Sequence, residues 1–532
     1  MSAHVLTRTS RIEGASAEAG PRHAGSLQTS TLFKLFIPVA VFAIAARIYV
    51  ANVVLPDGLC DDCYTTLRYA ANLSEGKGFV FNAGESVWGT TTPLFTLLLW
   101  PVAWLFGAKA LEIATVASGI AASAVFWFLL LVILEKQRVP RLVSLPALLL
   151  VMFSPGFFSN SLSGMETPLV LALMAASFYC YMEDRPIGLG ILFGLLLLAR
   201  IDTLVWIGIV GLAYIIRHYR AERRNILVAL STFFLVALPW HVFALVKFHS
   251  LIPQTVTAKA ITNNVLHESY GEYIVELCRV YLPGGGMVDT PPRAIAVFTL
   301  LAIGGIAIWR QCPLLRPLPV FLLALVACLV FFKVQRFPWY FPPSQWVAYL
   351  LGLAGVYLIW NQGLARGQGY AVQAIPFAIL SALFAIHCVR GDHYFYQDRA
   401  KHNTWIDLAN YVTEHTAPDD RIFLEHIGLI GLRSKRPILD NIGLVSPEIV
   451  EIRKRCPERW FQESLQKYRP EVAILYGWDL PDYEAEPWSK EDRDWFLSTY
   501  TLVNTIEIKA NLVTYVYVDN DRLTGSRRAG SH

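Results

Sequence analysis

The sequence predicts a mainly α-helical membrane protein with about eleven transmembrane helices, followed by a small α/β domain at the C-terminus. The 532 residues are 55% hydrophobic and only 16% charged, and the mean hydropathy is +0.43, a composition more apolar than that of ordinary soluble domains. Several apolar runs reach the length that a helix needs to cross a bilayer, whereas residues 391–532 lose such runs. The net charge of +4 comes without a strong basic run, so nothing indicates nucleic-acid binding.

The N-terminal region divides into a polar tail and a first apolar run. Residues 1–30 are rich in Ala, Ser and Gly, which is typical of a disordered tail. The run at 32–55 is too long for the apolar part of a signal peptide and lacks a small-residue cleavage site. We therefore expect it to stay in the protein as the first transmembrane helix.

Clusters of Lys and Arg predict the orientation of the chain, because they stay on the cytoplasmic side of a membrane. The strongest cluster is RHYRAERR at 217–224, and a second is EKQRVPR at 135–141. Both lie inside if the run after Thr92, which is short and contains Pro101, is an interfacial helix on the outer face. The chain is then a multi-pass protein of the cytoplasmic (inner) membrane, with a cytoplasmic N-terminus and an extracytoplasmic C-terminus.

The apolar segments predict the transmembrane domain, residues 31–390. Spans are expected near residues 32–55, 113–134, 142–158, 167–183, 187–199, 203–216, 226–246, 294–309, 318–332, 344–361 and 371–389. The spans at 187–199 and 203–216 are short and meet at the sequence LARIDT, which is typical of half-deep helices around a buried polar point. The first outer loop comprises residues 56–112.

The C-terminal domain, residues 391–532, mixes helix and strand patterns. Helices are predicted after Asn403 and at Pro457, a residue type favoured in the first turn of a helix. Strands are predicted at RIFLEHI, EVAILYG, LVNTIEI and LVTYVYV, and the last two are expected to form a hairpin. This mixture indicates a small extracytoplasmic α/β domain.

One short stretch, LCDDCYTTLRYAANLSEGKGF at 59–79, carries the first candidate chemistry. It places Asp61 and Asp62 between Cys60 and Cys63. A redox pair is expected at a helix start in a thioredoxin-like unit, and a structural zinc site needs two further ligands; the sequence shows neither. The two acids are either a solvated loop pair or an acid/base centre, since repulsion between adjacent carboxylates raises one pKa towards neutrality.

Further polar residues are expected on the same outer face. They belong to the sequences SGMETPL, ARIDT, HSLIPQTVTAKA and KVQRFPWYFPP, and they are Glu166, Arg200, Asp202, Gln254, Lys259, Arg336, Trp339 and Tyr340. Each group has an ordinary structural alternative, such as an ion pair that closes a helix break, a snorkelling anchor or an aromatic belt. Together, carboxylates, separated cations and aromatic rings on one face indicate a site for an anionic, membrane-embedded substrate that carries a sugar.

Such a site suits glycosyl transfer from a polyprenyl phosphate. A carboxylate deprotonates the acceptor hydroxyl, while Arg or Lys side chains stabilise the departing phosphate. A divalent cation held by Asp61 and Asp62 is a second source of that positive charge. A transporter or lipid flippase is the alternative function, although it would favour charges at the membrane midplane and repeat symmetry.

The segment DDCYTTLRYAANLSEGKGFVFNAGESVWGTTTPL at 61–94 resembles the GT-C superfamily of integral-membrane glycosyltransferases, in particular the branch of mycobacterial arabinofuranosyltransferases and uncharacterised bacterial relatives. The sequences SGMETPL, ARIDTLVW, SLIPQTVTAKA and EHIGLIGLRSKRPILDNIGLVSPEIV add to the likeness. The resemblance implies a polyprenyl-phosphate-linked sugar donor, a glycan, lipid or protein acceptor, and a loop aspartate as general base. It makes Asp61 the first choice for the base and Asp62 the second. Tyr64 and Arg68 of the same motif are candidate substrate-binding residues.

Overall fold

The computed structural model describes residues 31–54, 59–220, 222–264, 269–281, 291–379, 393–483, 488–509 and 512–524. Within these residues the protein is mainly α-helical and carries one five-stranded sheet near the C-terminus. The tail predicted for residues 1–30 lies outside the described residues.

The part of the chain before the C-terminal domain folds into helices α1 to α16. Their bounds are α1 Thr31–Tyr49, α2 Asp61–Ser74, α3 Pro93–Phe106, α4 Ala110–Lys136, α5 Arg141–Phe153, α6 Pro155–Asn160, α7 Thr167–Met182, α8 Pro186–Ala199, α9 Leu204–His218, α10 Arg223–Phe248, α11 Gln254–Asn264, α12 Tyr270–Tyr281, α13 Pro291–Gln311, α14 Pro317–Phe331, α15 Pro342–Tyr357 and α16 Tyr370–Ile379. Proline begins several of them because its fixed φ suits the first turn of a helix, as at Pro93, Pro186 and Pro317.

In the described residues, six helical segments are long and apolar enough to cross a membrane. They are Phe33–Asn52, Ala110–Lys136, Ile201–His218, Arg223–Phe248, Pro313–Phe331 and Pro342–Leu364. Shorter apolar helices occur at α3, α5, α7, α8, α13 and α16. The chain is therefore a multi-pass membrane protein. Eleven spans result if all of the shorter helices except α3 also cross, and that number stays a prediction.

The long helices pack closely where glycine replaces a side chain. α13 and α15 meet at Gly304 and Gly355, where an added Cβ would overlap the carbonyl oxygens of Leu351 and Leu300 on the opposite helix. Contacts through small residues are typical of helices in membranes, where lipid is as apolar as the helix surface and close packing has to hold the helices together.

Arg47 in α1 is fully buried inside the helical bundle. Its guanidinium donates hydrogen bonds to the Ser161 hydroxyl (2.7 Å) and to the Met152 carbonyl (2.8 Å). It also lies 4.6 Å and 4.4 Å from the ring centroids of Trp127 and Phe158. A buried cation is tolerated only with such partners. Arg47 therefore anchors α1 to α5 and to the turn after α6.

The C-terminal domain combines a five-stranded sheet with helices α17 to α22. The helices are α17 His393–His415, α18 Ile427–Ser434, α19 Pro447–Arg455, α20 Trp460–Tyr468, α21 Lys490–Thr499 and α22 Asn520–Leu523, and the strands are β1 Ile422–Leu424, β2 Ile438–Asp440, β3 Val472–Tyr476, β4 Tyr500–Lys509 and β5 Leu512–Asp519. The strand order is β2-β1-β3-β5-β4. β1 pairs in parallel with β2 and β3, so Ile422 lies opposite both Ile438 and Val472. β5 pairs in antiparallel with β3 and β4.

Most elements of this domain follow the sequence pattern. β1, β3, β4 and β5 lie at the four predicted strands, whereas β2 has only three residues and is too short to show an alternation of apolar and polar positions. The helix predicted at Pro457 begins instead at Trp460, and Pro457 lies in the turn before it. The turn of the predicted hairpin falls on residues 510–511, outside the described residues.

The C-terminal domain packs against the segment 59–112, which contains α2, α3 and the start of α4. Asn82 of this segment is only 3% exposed. Its side chain pairs with the backbone of β2 as a neighbouring strand would. Its side-chain amide donates to the Ile438 carbonyl (2.8 Å), and its side-chain oxygen accepts from the Ile438 N–H (2.9 Å). Ion pairs of the same interface are Lys435–Glu75 (2.7 Å), Arg421–Glu85 (3.2 Å) and Arg433–Glu112 (3.3 Å).

Candidate active site

A polar cleft lies where the 59–112 segment, the helical bundle and the C-terminal domain meet. The candidate residues that line it are Asp61, Asp62, Glu166, Arg200, Lys259, Trp339 and Tyr340. They belong to the start of α2, the residue before α7, the break between α8 and α9, the helix α11 and the turn before α15. Helix termini leave unpaired backbone groups that need polar surroundings. The polar cleft is therefore built mostly from the ends of helices that are distant in sequence, and Lys259 comes from the middle of α11.

Asp61 is the first residue of α2 and is only 9% exposed. Its carboxylate oxygens accept hydrogen bonds from the backbone N–H groups of Gly428 (3.1 Å) and Leu429 (2.9 Å) in the first turn of α18. Burial, together with the charge of Asp62, raises the pKa of Asp61 to about 6 against the opposing effect of the two amide donors. A carboxylate with a pKa near neutrality is suited to act as a general base.

Asp62 is more open to the cleft, with 38% of its side chain exposed. Its carboxylate lies 3.7 Å from the ammonium group of Lys259 in α11. That ammonium group also lies 4.8 Å from the ring centroid of Phe337 and 5.9 Å from that of Tyr340. Burial lowers the pKa of Lys259, but Tyr340 and Asp62 outweigh this effect and leave the pKa raised. Lys259 therefore carries its charge at physiological pH.

Arg200 supplies a second cation from the break between α8 and α9. It is 3% exposed, and its guanidinium pairs with the carboxylates of Asp202 (2.5 Å) and Glu166 (3.6 Å). It also lies 5.2 Å from the ring centroid of Tyr340, the same ring that Lys259 approaches. The two cations of the polar cleft are thus close to one aromatic side chain.

A row of threonines also lines the cleft; Thr255 lies in the predicted sequence HSLIPQTVTAKA, whereas Thr66, Thr90 and Thr92 are not among the predicted site residues. Thr92 lies within hydrogen-bond distance of Thr66 (3.2 Å) and Thr90 (3.1 Å), and Thr255 donates to the carbonyl of Gly89. Hydroxyl groups both donate and accept, so this wall suits the hydroxyls of a sugar. Its signal in the sequence is the run GTTT before α3.

The C-terminal domain also contributes Glu425, Ile427 and Leu444 to the polar cleft. Glu425 follows β1, Ile427 begins α18, and Leu444 lies in the loop after β2. Nothing in the local pattern marks these three residues as neighbours of Asp61, because their contact depends on how the domain packs against α2.

Two candidate residues of α2, Tyr64 and Arg68, do not line the polar cleft. Tyr64 is fully buried in the packing of the helix. Arg68 lies on another face of α2, where its guanidinium is 4.1 Å from the ring centroid of Phe81 and donates to the Arg436 carbonyl (2.8 Å). Arg68 therefore joins the 59–112 segment to the C-terminal domain.

Three other candidates also lie outside the lining of the polar cleft. Asp202 pairs with Arg200. The backbone N–H of Gln254 donates to the loop before α3 (2.8 Å), which fixes the start of α11. Arg336 lies 5.2 Å from the ring centroid of Tyr273 in α12. The lining of the polar cleft thus contains Asp61, Asp62, Arg200 and Lys259 but not Arg336.

The donor groups around Asp61 and Asp62 do not fit a divalent cation. Both oxygens of Asp61 face N–H donors, and Asp62 faces the ammonium group of Lys259. The remaining buried carboxylate, Glu166, pairs with Arg200. Hard divalent cations need about six oxygen ligands, and three carboxylates that each share their oxygens with an N–H donor or a cation of the protein supply too few of them.

The thiol of Cys63, beside the two acids, is buried and unbonded. Cys63 is a free thiol and is 1% exposed, so it is not bonded to Cys60. Burial raises the pKa of Cys63 well above its usual range, and neighbouring negative groups add to the rise. A reactive cysteine needs an accessible thiolate, and this thiol is buried and protonated.

Two family models match the chain. That of Glycosyltransferase family 87 matches residues 90–335, a little under half of the sequence, and that of a domain of unknown function, DUF8728, matches residues 392–524. The terminal β-(1→2)-arabinofuranosyltransferase of Mycobacterium tuberculosis (strain ATCC 25618 / H37Rv) is 30% identical over 218 residues, which cover 38% of this chain and 35% of that relative. The chain thus aligns with about a third of the relative's length.

Solved structures cover nearly the whole chain. The crystal structure of ArnT from Cupriavidus metallidurans in the apo state covers 91% of this chain and 97% of its own, with a TM-score of 0.52 and 14% identity. The chain has the GT-C fold. ArnT bound to undecaprenyl phosphate matches this GT-C fold with a TM-score of 0.51, 11% identity and coverage of 92% and 98%. The resemblance to the GT-C superfamily is confirmed, and at these identities the solved structures show the fold alone.

Proposed function

We propose that the chain is a glycosyltransferase that moves a sugar from a polyprenyl-phosphate donor to a glycan, lipid or protein acceptor. The observation that carries this proposal is the polar cleft, whose lining contains a buried carboxylate with a pKa near neutrality and two cations. The match to Glycosyltransferase family 87 and the arabinofuranosyltransferase relative support transferase activity. The ArnT structure with undecaprenyl phosphate supports a lipid-linked donor.

Asp61 acts as the general base in this proposal. Its ionised form is held by the amides of Gly428 and Leu429, and each carboxylate oxygen keeps a further lone pair for the acceptor hydroxyl. Asp62 keeps Lys259 in place through their ion pair. The two adjacent acids therefore have separate roles, because one is buried among amides and the other faces a cation.

Lys259 and Arg200 stabilise the departing phosphate. Both lie near the ring of Tyr340, so a phosphate bound beside this ring meets two positive charges. Such preorganised charge is most effective where water is largely excluded, because negative charge grows on the phosphate in the transition state. The threonine wall formed by Thr66, Thr90 and Thr92 binds the hydroxyls of the sugar.

The reaction is a single displacement at the anomeric carbon. Asp61 takes the proton as the O–H bond of the acceptor breaks, and the acceptor oxygen forms a bond to the anomeric carbon. The bond between that carbon and the phosphate oxygen breaks at the same time, and its electron pair leaves with the polyprenyl phosphate. No oxidant or further co-reactant is needed.

We place the reaction on the extracytoplasmic face of the cytoplasmic membrane. α9 begins beside Arg200 and ends at His218 in the basic cluster 217–224, about 22 Å away at 1.5 Å per residue. The polar cleft and this cluster thus lie at opposite ends of one helix, and basic clusters stay in the cytoplasm. The proposed organisation is a transmembrane domain at 31–390 with its first outer loop at 56–112, an extracytoplasmic domain at 391–532 and a cytoplasmic N-terminus.

The test measures transfer in proteoliposomes. Purified protein is given synthetic polyprenyl phosphates carrying radiolabelled pentoses or hexoses, with a panel of octyl glycosides as acceptors. We expect a new labelled glycoside from the parent chain and none from Asp61→Asn. Asp407→Asn, an exposed substitution in α17, is the matched control and keeps full activity.

Undiminished transfer by Asp61→Asn would remove the proposal. Movement of label across the membrane without a new glycosidic bond would indicate the transporter function instead.

A further inference from the structure

The first turn of α18 touches the proposed base directly. The N–H groups of Gly428 and Leu429 reach the two carboxylate oxygens of Asp61 from positions 367 and 368 residues away in the sequence. A helix N-terminus combines free N–H groups with partial positive charge, so it both orients and stabilises an anion. Here the anion is the side chain on which the proposed reaction depends.

Two glycines allow this approach. A Cβ at Gly428 would overlap the backbone carbonyl oxygen of Asp61, and a Cβ at Gly431 would overlap the guanidinium of Arg68. The backbones of α18 and α2 are therefore in contact, and the amide groups of α18 reach Asp61 only because position 428 has no side chain. The sequence IGLIG at 427–431 meets this requirement.

Glu425, two residues before α18, faces the polar cleft from the same domain. Its charge acts on Arg453 of the same domain, and its side chain also lines the cleft. A carboxylate repels the donor phosphate but accepts hydrogen bonds from hydroxyl groups. Glu425 is therefore suited to the hydroxyl-bearing acceptor, next to the base that must deprotonate it.

Hydrogen bonds fix the position of the C-terminal domain on the 59–112 segment. Asn82 pairs with both backbone groups of Ile438 in β2, and Arg68 donates to the Arg436 carbonyl. These bonds lie at the end of the segment that joins α18 to β2 and at the first residue of β2, so they fix the position of α18 relative to α2. Catalytic groups need such fixed support, because small displacements reduce the rate strongly.

We propose that the C-terminal domain forms the acceptor side of the active site: α18 positions Asp61 through the amides of Gly428 and Leu429, and Glu425 binds a hydroxyl group of the acceptor. This inference rests on the proposed function. It gives a role to the region matched by a family of unknown function. Gly428 and Leu429 are positioning residues, whereas Glu425 contacts the acceptor.

The positioning role is tested with Gly428→Ala, which forces α18 away from Asp61. We expect kcat/KM to fall by about 10-fold to 100-fold. The acidic limb of its pH profile moves to higher pH, because the amide donors no longer favour the ionised carboxylate. Ile430→Ala, a buried change in the same helix, is the control and keeps the parent's pH profile. Equal rate losses in both variants, with unchanged pH profiles, would overturn the positioning role.

The acceptor role is tested with Glu425→Gln, which keeps the shape of the side chain and serves even if Gly428→Ala does not fold. With the octyl glycoside that the parent chain uses, we expect the acceptor KM to rise about tenfold, while the donor KM and kcat stay near those of the parent. Glu451→Gln, an exposed change in α19, is the control. An unchanged acceptor KM would overturn this role.

The outcomes separate this inference from the proposed function. Full transfer by Asp61→Asn removes the proposed function and the inference with it. Loss of transfer in Asp61→Asn, with parental rates, KM values and pH profiles in Gly428→Ala and Glu425→Gln, removes only the inference.

Discussion

The pH dependence of transfer is the sharpest consequence of the environment of Asp61. Its pKa is raised from 3.8 to about 6, first by burial and then by the neighbouring charge of Asp62. A general base works only when ionised. With a pKa of about 6, about nine tenths of Asp61 is ionised at pH 7 and about one tenth at pH 5. We therefore expect kcat/KM to be about tenfold lower at pH 5 than at pH 7.

The assay is the initial rate of glycoside formation at low donor concentration, measured from pH 4.5 to pH 8. The donor is a phosphodiester and does not titrate in this range, so the acidic limb belongs to the protein. Asp62→Asn removes a negative charge that raises the pKa of Asp61, and its acidic limb moves to lower pH. Asp407→Asn leaves the profile unchanged. A kcat/KM that stays constant from pH 7 down to pH 4.5 would refute the assignment of Asp61 as the base.

The raised pKa of Asp61 also predicts how the stability of the protein depends on pH. The folded pKa of about 6 lies above the unfolded value of 3.8, so the folded state is penalised when Asp61 is ionised. The penalty is about 3 kcal/mol above pH 6 and disappears as the pH falls towards 3.8. The stability of Asp61→Asn relative to the parent therefore decreases by about 2–3 kcal/mol between pH 7 and pH 4, as measured by denaturant unfolding in detergent. A difference that does not vary with pH would contradict this origin.

Four further variants test the cation of the cleft, two buried hydrogen-bonded side chains and the cysteine pair. Lys259→Gln removes a cation from the leaving-group side and lowers kcat/KM by about 10²–10³-fold in the same transfer assay. Asn82→Ala leaves the N–H and carbonyl of β2 unpaired at a buried interface and lowers the free energy of unfolding by about 1–3 kcal/mol. Arg47→Met removes the hydrogen bonds that anchor α1, and we expect a similar loss in the free energy of unfolding. Thermal unfolding in detergent measures the stability of both variants. Cys60→Ser combined with Cys63→Ser keeps transfer, since neither thiol takes part in the reaction, and a dead double variant would contradict this.

The sequence alone predicts the membrane class and a core of the candidate site for clear physical reasons. Apolar runs reveal helices by length, and the basic cluster 217–224 orients them. Once the helices alternate across the membrane, the ends that carry Asp61, Glu166, Arg200 and Lys259 must emerge on one side. The structure brings these four residues to the polar cleft.

Other features depend on packing that no local pattern contains. Arg68 belongs to the same motif as Asp61 but lies on another face of α2, because a helix turns by about 100° at each residue. The contact of Gly428 with Asp61 joins positions 367 residues apart. It arises from the way α18 packs on α2, and the short helix and β2 next to it are too brief to show any periodicity.

The long separation between Asp61 and its amide partners has a consequence for biogenesis. During synthesis Asp61 emerges early, whereas Gly428 and Leu429 follow only after the intervening spans have been made. A nascent or truncated chain that stops before α18 therefore contains Asp61 without the two amide groups that bind its carboxylate. The arrangement around Asp61 is therefore complete only in the last stage of assembly, when the C-terminal domain docks on α2, and we expect chains that lack this domain to be inactive.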